Sequence, residues 1–316
     1  MPHLTDPANN PFLIGDGTEG PGISITSNGV KLRGYGANLS DQPGIAGPLT
    51  RLKWNRPNAG TVVQMDSQKA GYDPTARIGN LEASDLTIDG DGKPGIGLLL
   101  NRVWASRFKN LAVREMRPVI GGEPGGIGIK LTTSAAPIET CAGVNTAFNY
   151  FESIFVKSAS QGIVLDGNDS MGALYASDST QNVFVNVQIV IFGTHDSDVG
   201  IWLRHCDANV FYRVSVIRGH AEQEPERGHA VLVNSEPNRF NVQDANANYF
   251  YHLTPGGGVH VLSSNKPLHT DGKTIILGHA LGAGQPAPTT DSSTPARVVL
   301  AWITSMGEMH GFDLVE

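Results

Sequence analysis

The sequence predicts an all-β fold, a parallel β-helix in which successive coils stack into one solenoid. The chain has 38 glycines among 316 residues, 40% hydrophobic residues and only 17% charged residues. Helix-rich chains need an excess of Ala, Glu, Lys and Leu, so this composition favours strands and turns around a large core. Two short strand patterns that recur about every 30 residues then select the solenoid among all-β folds.

The first pattern is a glycine, or a residue in its place, followed by alternating apolar residues. It predicts strands that begin at Gly95, Gly126, Gly162, Gly200, His229 and Gly258. Side chains alternate between the two faces of a strand. We therefore expect the first and third residues after each of these positions to face the core, and the second and fourth to face outward.

The second pattern is a small polar residue, any residue and then Phe. It occurs at Ser106–Phe108, Asn149–Phe151, Asn182–Phe184, Asn209–Phe211 and Asn238–Phe240. We expect each Phe to stack on its equivalent one coil away. Each Asn should lie at a bend, where its amide bonds to the backbone and to the next Asn. A β-sandwich is the alternative, but its antiparallel strands give no reason for this pattern to repeat in register.

The N-terminal part of the chain resembles a known family. Residues 22–36 read Gly-Ile-Ser-Ile-Thr-Ser-Asn-Gly-Val-Lys-Leu-Arg-Gly-Tyr-Gly, and the phrases at 49–54 and 86–90 continue in the same style. The run looks like the opening coils of the pectate-lyase-like right-handed β-helix superfamily, which includes phage tail spikes. The resemblance covers roughly residues 12–280 and implies a right-handed helix. It is specific for the fold and weak for activity.

We expect one solenoid rather than two domains. We expect residues 1–21 to form an N-terminal extension with a truncated cap, because members of the family usually begin with a capping helix and a strand and almost nothing precedes Phe12 here. Either the chain is a fragment, or another element covers the open N-terminal edge. The β-helix covers residues 22–284. A linker rich in Pro, Thr and Ser leads to closing strands within residues 285–316.

Charge and composition exclude several classes of protein. The net charge is −7 and Lys and Arg form no patch, which argues against nucleic acid as a partner. No apolar run reaches the roughly 18 residues of a membrane span. Cys141 and Cys206 match no zinc spacing and should be buried apolar residues, so we predict no metal and no cofactor. The phrase Asp89-Gly-Asp91 offers oxygen ligands for Ca²⁺ but lacks the rest of an EF-hand loop, so we expect a turn.

Outward positions on the glycine-led strands give a candidate substrate-binding site. Lys130, Asp166 and Arg204 fall into one predicted outward column, with Trp202 and His260 in the neighbouring column. Coils stack about 4.8 Å apart, so these side chains would form a charged ladder beside an aromatic plate. Polysaccharide grooves on β-helices combine these two features. A salt bridge on a solvated face is the alternative, and it would contribute little stability.

The loops after these strands give candidate catalytic groups. Asp166, His205, Asp207 and Glu222 would supply a carboxylate pair or a general base if adjacent coils bring them together. An acidic loop that is simply solvated is the alternative. The Asn-Thr-Asp, Asp-Asp and Gly-His-Gly signatures of polygalacturonase-like members are absent from the chain, so no enzyme class follows from motifs.

The other strand set carries apolar residues at predicted outward positions, namely Ala112, Phe155, Val190 and Ile217. An exposed apolar stripe calls for a partner that covers it. Tail spikes of the family are trimers of parallel β-helices, so the resemblance implies a homotrimer.

Two function classes remain. The first is a virion component, a phage tail-spike-like or minor tail protein that serves in receptor binding to a cell-surface polysaccharide, with or without cleaving it. The second is a secreted bacterial polysaccharide lyase or glycoside hydrolase of the same superfamily. Residues 1–10 show no charged segment followed by an apolar one, so we expect no signal peptide, which favours the virion over another extracellular location. A structural role without any glycan stays open.

Overall fold

A computed structural model of the chain describes residues 12–14, 20–39, 50–67, 77–93, 95–119, 125–133, 145–167, 179–195, 197–204, 206–218, 228–235, 248–255, 258–263, 273–279, 289–290, 297–303 and 309–313. Side chains are described up to residue 253, except those at 158, 207 and 233–235. The described residues form strands and turns and include no helix. In this part of the chain there is accordingly no helix long and apolar enough to cross a membrane.

Three sheets account for all the described strands. The bounds in sheet 1 are β1 Phe12–Ile14, β3 Lys31–Arg33, β4 Arg51–Trp54, β7 Glu82–Asp89, β10 Arg107–Arg114, β13 Tyr150–Ala159, β16 Val183–Ile191, β19 Val210–Arg218, β21 Tyr249–Pro255, β23 Lys273–His279, β25 Arg297–Ile303 and β26 Met309–Asp313. The bounds in sheet 2 are β2 Ile23–Ile25, β5 Thr61–Asp66, β8 Ile96–Asn101, β11 Ile127–Thr132, β14 Gln161–Asp166, β17 Val199–Arg204, β20 His229–Ser235, β22 Gly258–Ser263 and β24 Thr289–Thr290. The bounds in sheet 3 are β6 Ile78–Gly79, β9 Val103–Trp104, β12 Thr146–Ala147, β15 Ser179–Thr180 and β18 Cys206–Asp207.

Strand order agrees with a chain that winds around a common core. From β6 to β18 the chain visits sheet 3, sheet 1 and sheet 2 in turn, and each strand pairs in parallel with its equivalent in the next coil. Only the last described pair, β25 with β26, is antiparallel. The all-β prediction is confirmed, and the long parallel sheets are consistent with a β-solenoid and not with an antiparallel sandwich.

Sheet 1 extends into the segments that we predicted at both ends of the chain. Strand β1 pairs with β4, and β25 pairs with β23, both in parallel. These strands lie in the predicted extension and in the predicted closing segment. The boundaries at residues 21 and 284 stay predictions.

A continuous stack of phenylalanine rings forms the centre of the core. Neighbouring rings lie 4.5–4.7 Å apart and are nearly parallel, with interplanar angles of 5–16°. The stack contains Phe108, Phe151, Phe184, Phe211 and Phe250, all with no exposed surface. The ring spacing is close to the strand spacing of a parallel sheet, about 4.8 Å, so backbone pairing and ring stacking reinforce each other.

A column of buried asparagines runs beside the rings, at the bend between sheets 3 and 1. The amide of Asn149 donates to Oδ1 of Asn182 at 3.0 Å, Asn182 to Asn209 at 3.0 Å, and Asn209 to Asn248 at 2.9 Å. Each Oδ1 also accepts the backbone N–H of the equivalent residue in the preceding coil, at 2.9–3.2 Å. We call these four residues the asparagine column.

The last member of both series differs from the prediction. Phe250 stacks on Phe211, and Asn248 ends the asparagine column. The sequence repeat predicts Phe240 and Asn238 at these places, and both lie outside the described residues. The interval of 29 residues from Phe211 to Phe240 fits the repeat, but the coil that follows Phe211 is longer, so its ring is supplied by Phe250.

Sheet 2 approaches sheet 1 most closely at a column of glycines, Gly97, Gly128, Gly162 and Gly200. A Cβ at Gly128 would lie 2.5 Å from Cγ1 of Val156 in sheet 1 and 2.7 Å from the carbonyl oxygen of Gly162. A methyl group at Gly128 would overlap both atoms, so glycine is required at this position by space and not by dihedral angle.

This glycine column corrects the register that we predicted for three strands. In β8 and β11, Gly97 and Gly128 are equivalent to Gly162, rather than Gly95 and Gly126, because Ile129 pairs with both Leu98 and Ile163. In β20, Val231 pairs with Ile201, so Ala230 lies opposite Gly200 in the glycine column. Val231 therefore continues the inward column, which we had predicted to contain Ala230 and Leu232. A slip of one residue turns every side chain to the other face, whereas a slip of two leaves the faces unchanged.

Replacing Asn182 with Leu tests the asparagine column. The substitution keeps the volume but leaves three buried groups without partners: the backbone N–H of Asn149, an amide hydrogen of Asn149 and the carbonyl of Thr146. Each orphaned group costs about 1–3 kcal/mol, so we expect a loss of at least about 3 kcal/mol in urea denaturation. The exposed Asn58, changed to Ala, should alter stability by less than about 0.5 kcal/mol. Equal midpoints for the two variants would contradict this role.

Replacing Gly128 with Ala tests the contact between the sheets. We expect a loss of about 1–3 kcal/mol, because Val156 and the strand of Gly162 must move to admit the methyl group. Gly95 is the matched control, since a Cβ there would lie no closer than 3.8 Å to the carbonyl of Gly60. Thermal unfolding of the two variants should separate them, and a Gly128→Ala protein as stable as Gly95→Ala would refute the close approach.

Candidate functional site

The predicted charged ladder is present on the outer face of sheet 2. Lys130 Nζ lies 3.3 Å from Asp166 Oδ2, and Arg204 Nε lies 3.9 Å from Asp166 Oδ1. The register differs from the prediction. Lys130 pairs with Val164, which pairs in turn with Trp202, whereas Thr132 pairs with Asp166, which pairs in turn with Arg204. The lysine side chain therefore reaches its carboxylate diagonally.

Trp202 adjoins this ladder as predicted, but its side chain is partly buried. The guanidinium carbon of Arg204 lies 5.0 Å from the ring centroid, so one face of the indole is taken by a cation–π contact. The indole Nε1 is buried, and no acceptor for it occurs among the described residues. Such a donor costs free energy unless it finds a partner. The cluster of Lys130, Asp166, Trp202 and Arg204 is called the sheet 2 cluster below.

Sequence reasoning missed three polar residues that extend the same outward column. Asp66, Asn101 and Thr132 precede Asp166 and Arg204 in register. The carboxylate oxygen Oδ2 of Asp66 accepts from the amide of Asn101 at 3.0 Å and from that of Gln64 at 2.9 Å. Asp66 and Asn101 are buried, so they brace the N-terminal end of the column. Aligning the strands on Gly97, Gly128 and Gly162 would have revealed them.

The predicted catalytic groups are only partly described. The backbone of Asp207 belongs to sheet 3, where it pairs with Thr180, whereas Asp166 ends a strand of sheet 2. His205 and Glu222 lie outside the described residues. The backbone of His260 pairs with Leu232, in register with Trp202. The catalytic roles stay predictions, as do the binding roles of Lys130, Trp202, Arg204 and His260.

The predicted apolar stripe on sheet 1 is not an exposed surface. Ala112 and Phe155 share a column, but Gln188 and Ser215 continue it, and Val190 with Ile217 belongs to another column. Ala112 has no exposed surface and Phe155 is 2% exposed, partly because the guanidinium of Arg114 lies over the ring. Asn110, Ser153 and Asn186 are equivalent in register and all have a positive backbone φ, which interrupts the alternation of faces in each strand. Ile217 alone of the four is exposed.

A cleft of about 750 Å³ opens on the outer face of sheet 1, and sequence reasoning did not anticipate it. It lies over the first halves of β7, β10 and β13 and is bordered by β3. Its lining includes Arg33, Glu82, Asp85, Arg107, Phe148 and Tyr150. We call it the sheet 1 cleft.

Most of the charged side chains in the sheet 1 cleft form ion pairs with one another. Arg33 binds both oxygens of Glu82, at 2.7 and 2.8 Å, and this contact lowers the pKa of Glu82 and raises that of Arg33. Lys109 Nζ lies 3.3 Å from Glu152 Oε2. Asp85 accepts from the amide of Asn110 at 2.8 Å.

The Asp89-Gly-Asp91 phrase and the cysteines, residue types that can bind metal ions, have structural roles where they are described. Asp89 accepts the backbone N–H of Asp91 at 2.8 Å and is paired with Arg51, while the hydrogen bond from Lys53 lowers the pKa of Asp91. This is the predicted turn. Cys206 is buried, also as predicted, and Cys141 lies outside the described residues. Within the described ranges no three His, Cys, Asp or Glu side chains come close enough to hold a metal ion.

Comparison with known proteins assigns the chain to no family. No protein-family model matches it, and no curated protein is significantly similar to it.

Proposed function

We propose that this chain is a tail-spike-like or minor tail protein of a virion, which binds a cell-surface polysaccharide through the sheet 2 cluster. The proposal includes a right-handed parallel β-helix with coils of about 30 residues, like those of the pectate-lyase-like superfamily that the sequence resembles. A virion or another extracellular setting is the location that such a partner requires.

The buried donor of Trp202 is the observation that supports this proposal most. Its Nε1–H has no acceptor among the described residues, and it adjoins three charged side chains on an outward face. Nε1 is closed to solvent in this structure, so the proposal requires the indole to rotate outward on binding. A sugar hydroxyl can then accept this hydrogen bond and donate another to the Asp166 carboxylate. Repetition along the solenoid axis would place further polar groups beside successive sugar units.

A secreted polysaccharide lyase or glycoside hydrolase is the alternative proposal. It needs Asp166, Asp207, Glu222 or His205 to act as acid, base or nucleophile. Incubation with the bound polysaccharide distinguishes the two, since a hydrolase produces new reducing ends and a lyase produces an unsaturated sugar that absorbs ultraviolet light. A protein that only binds produces neither.

The proposed homotrimer depends on the resemblance alone, because the predicted apolar stripe is largely buried within one chain. Light scattering coupled to size-exclusion chromatography should give three times the mass of the 33.6 kDa chain. A monomer at micromolar concentration would exclude the trimer and leave the glycan proposal intact.

Trp202→Ala and Asp166→Asn test the sheet 2 cluster. Immobilised bacterial capsular polysaccharides and polygalacturonate serve as probes in surface plasmon resonance. The parent protein should bind at least one of them, and each variant should weaken that binding about tenfold or more, because each loses a buried hydrogen bond to the sugar. Tyr212→Ala is the control, since it removes an exposed aromatic ring from sheet 1. Parental affinity in both variants, or no binding to any probe, would refute the proposal.

A further inference from the structure

The sheet 1 cleft has the features of a ligand site that is separate from the sheet 2 cluster. Its residues come from strands β3, β7, β10 and β13 and from the bends that precede β10 and β13. Lys130, Asp166, Trp202 and Arg204 all belong to sheet 2 and do not line it. A ligand in the cleft would therefore contact a different set of side chains.

Two aromatic rings are held open to solvent at this cleft. Phe148 is 46% exposed and Tyr150 is 38% exposed. Phe148 has a backbone φ of +57°, a region that aromatic residues rarely adopt, whereas Ala105 and Ala208 occupy the same bend in other coils. Its ring is supported from one side by Trp104, 4.7 Å away, and Trp104 is covered in turn by the guanidinium of Arg77 at 4.4 Å. A strained, exposed and buttressed aromatic ring is typical of a binding site.

The cleft also contains one cation that its own carboxylates leave unpaired. Glu82 is engaged by Arg33, and Glu152 by Lys109. Arg107 lies between Glu82 and Tyr150 in register, is exposed, and forms no ion pair with any residue that the structure describes. A guanidinium in this position presents a planar pair of donors that matches a carboxylate.

We propose that the sheet 1 cleft binds an acidic sugar, a hexuronate or sialate unit, as a second saccharide site. The apolar face of the ring stacks on Tyr150 or Phe148, the carboxylate is bound by Arg107, and the hydroxyls bond to Asp85 and Asn110. The polar lining suits a hydroxyl-rich ring better than an apolar molecule. The proposal shares the ligand class of the proposed function but not its site.

Two pairs of probes test this site in saturation-transfer NMR and isothermal titration calorimetry. Each pair contains an acidic saccharide and a neutral match: trigalacturonate with its methyl ester, and sialyllactose with lactose. The folded full-length protein should bind at least one acidic member about tenfold more tightly than its neutral match. Equal affinity within both pairs, or no saturable binding of either acidic member, would overturn the proposal.

Variants then assign the binding to the cleft. Arg107→Gln and Tyr150→Ala should each weaken binding of the acidic saccharide about tenfold or more. The matched controls are Arg213→Gln and Tyr212→Ala, which remove the same kinds of exposed side chain from sheet 1 outside the cleft. Circular dichroism confirms that each variant is folded. Parental affinity in Arg107→Gln would overturn the cleft as the site.

Failure of this proposal is distinguishable from failure of the proposed function. Trp202→Ala removes the indole ring from the sheet 2 cluster and should leave saccharide binding at the sheet 1 cleft unchanged. Acidic saccharide binding that is lost in Trp202→Ala and kept in Arg107→Gln would assign the sugar to sheet 2 and refute the cleft.

Discussion

The asparagine column is the interaction on which the rest of the structure depends. Each amide bonds to the next amide, to the backbone N–H beside its neighbour and to a carbonyl at the bend, so no coil satisfies its polar groups alone. A coil that slipped by one residue would leave several buried donors and acceptors without partners. The column thereby fixes the register in which the phenylalanine rings stack and in which the glycines meet sheet 1.

That register also determines the chemistry of the two sites. Sheet 2 places Asp166 one coil from Arg204 and diagonal to Lys130, so that one carboxylate serves two cations. In sheet 1, the same spacing sets Arg107 between Glu82 and Tyr150. Positive backbone angles at Asp85, Asn110 and Ser153 divide these strands, and the first halves form the floor of the cleft. Both sites are therefore consequences of coil stacking and need no separate domain.

Features that repeat with the same residue type in every coil could be predicted from the sequence. The position of a residue was predicted wrongly where a coil differs in length from the others. Asn-x-Phe identified most of the ring stack and of the asparagine column, because stacking demands the same side chain in every coil. Asn238-Arg-Phe240 was mistaken for the next unit since it has the same residues at the expected interval. The ion pair between Asp166 and Lys130 was predicted correctly although the predicted strand register was wrong. A lysine side chain is long enough to reach a carboxylate two residues along the neighbouring strand. The sheet 1 cleft was missed, although Asp85, Asn110 and Asn186 are residues that tolerate a positive φ at equivalent positions and could have indicated the bend.

Hydrogen exchange measured by NMR tests the asparagine column most directly. The backbone N–H groups of Ser106, Asn149, Asn182 and Asn209 all donate to a buried Oδ1 of the next coil. They should exchange only by global unfolding, as slowly as the central residues of sheet 1. Exchange of these four groups at the rate of an exposed turn, with sheet 1 still protected, would contradict the account.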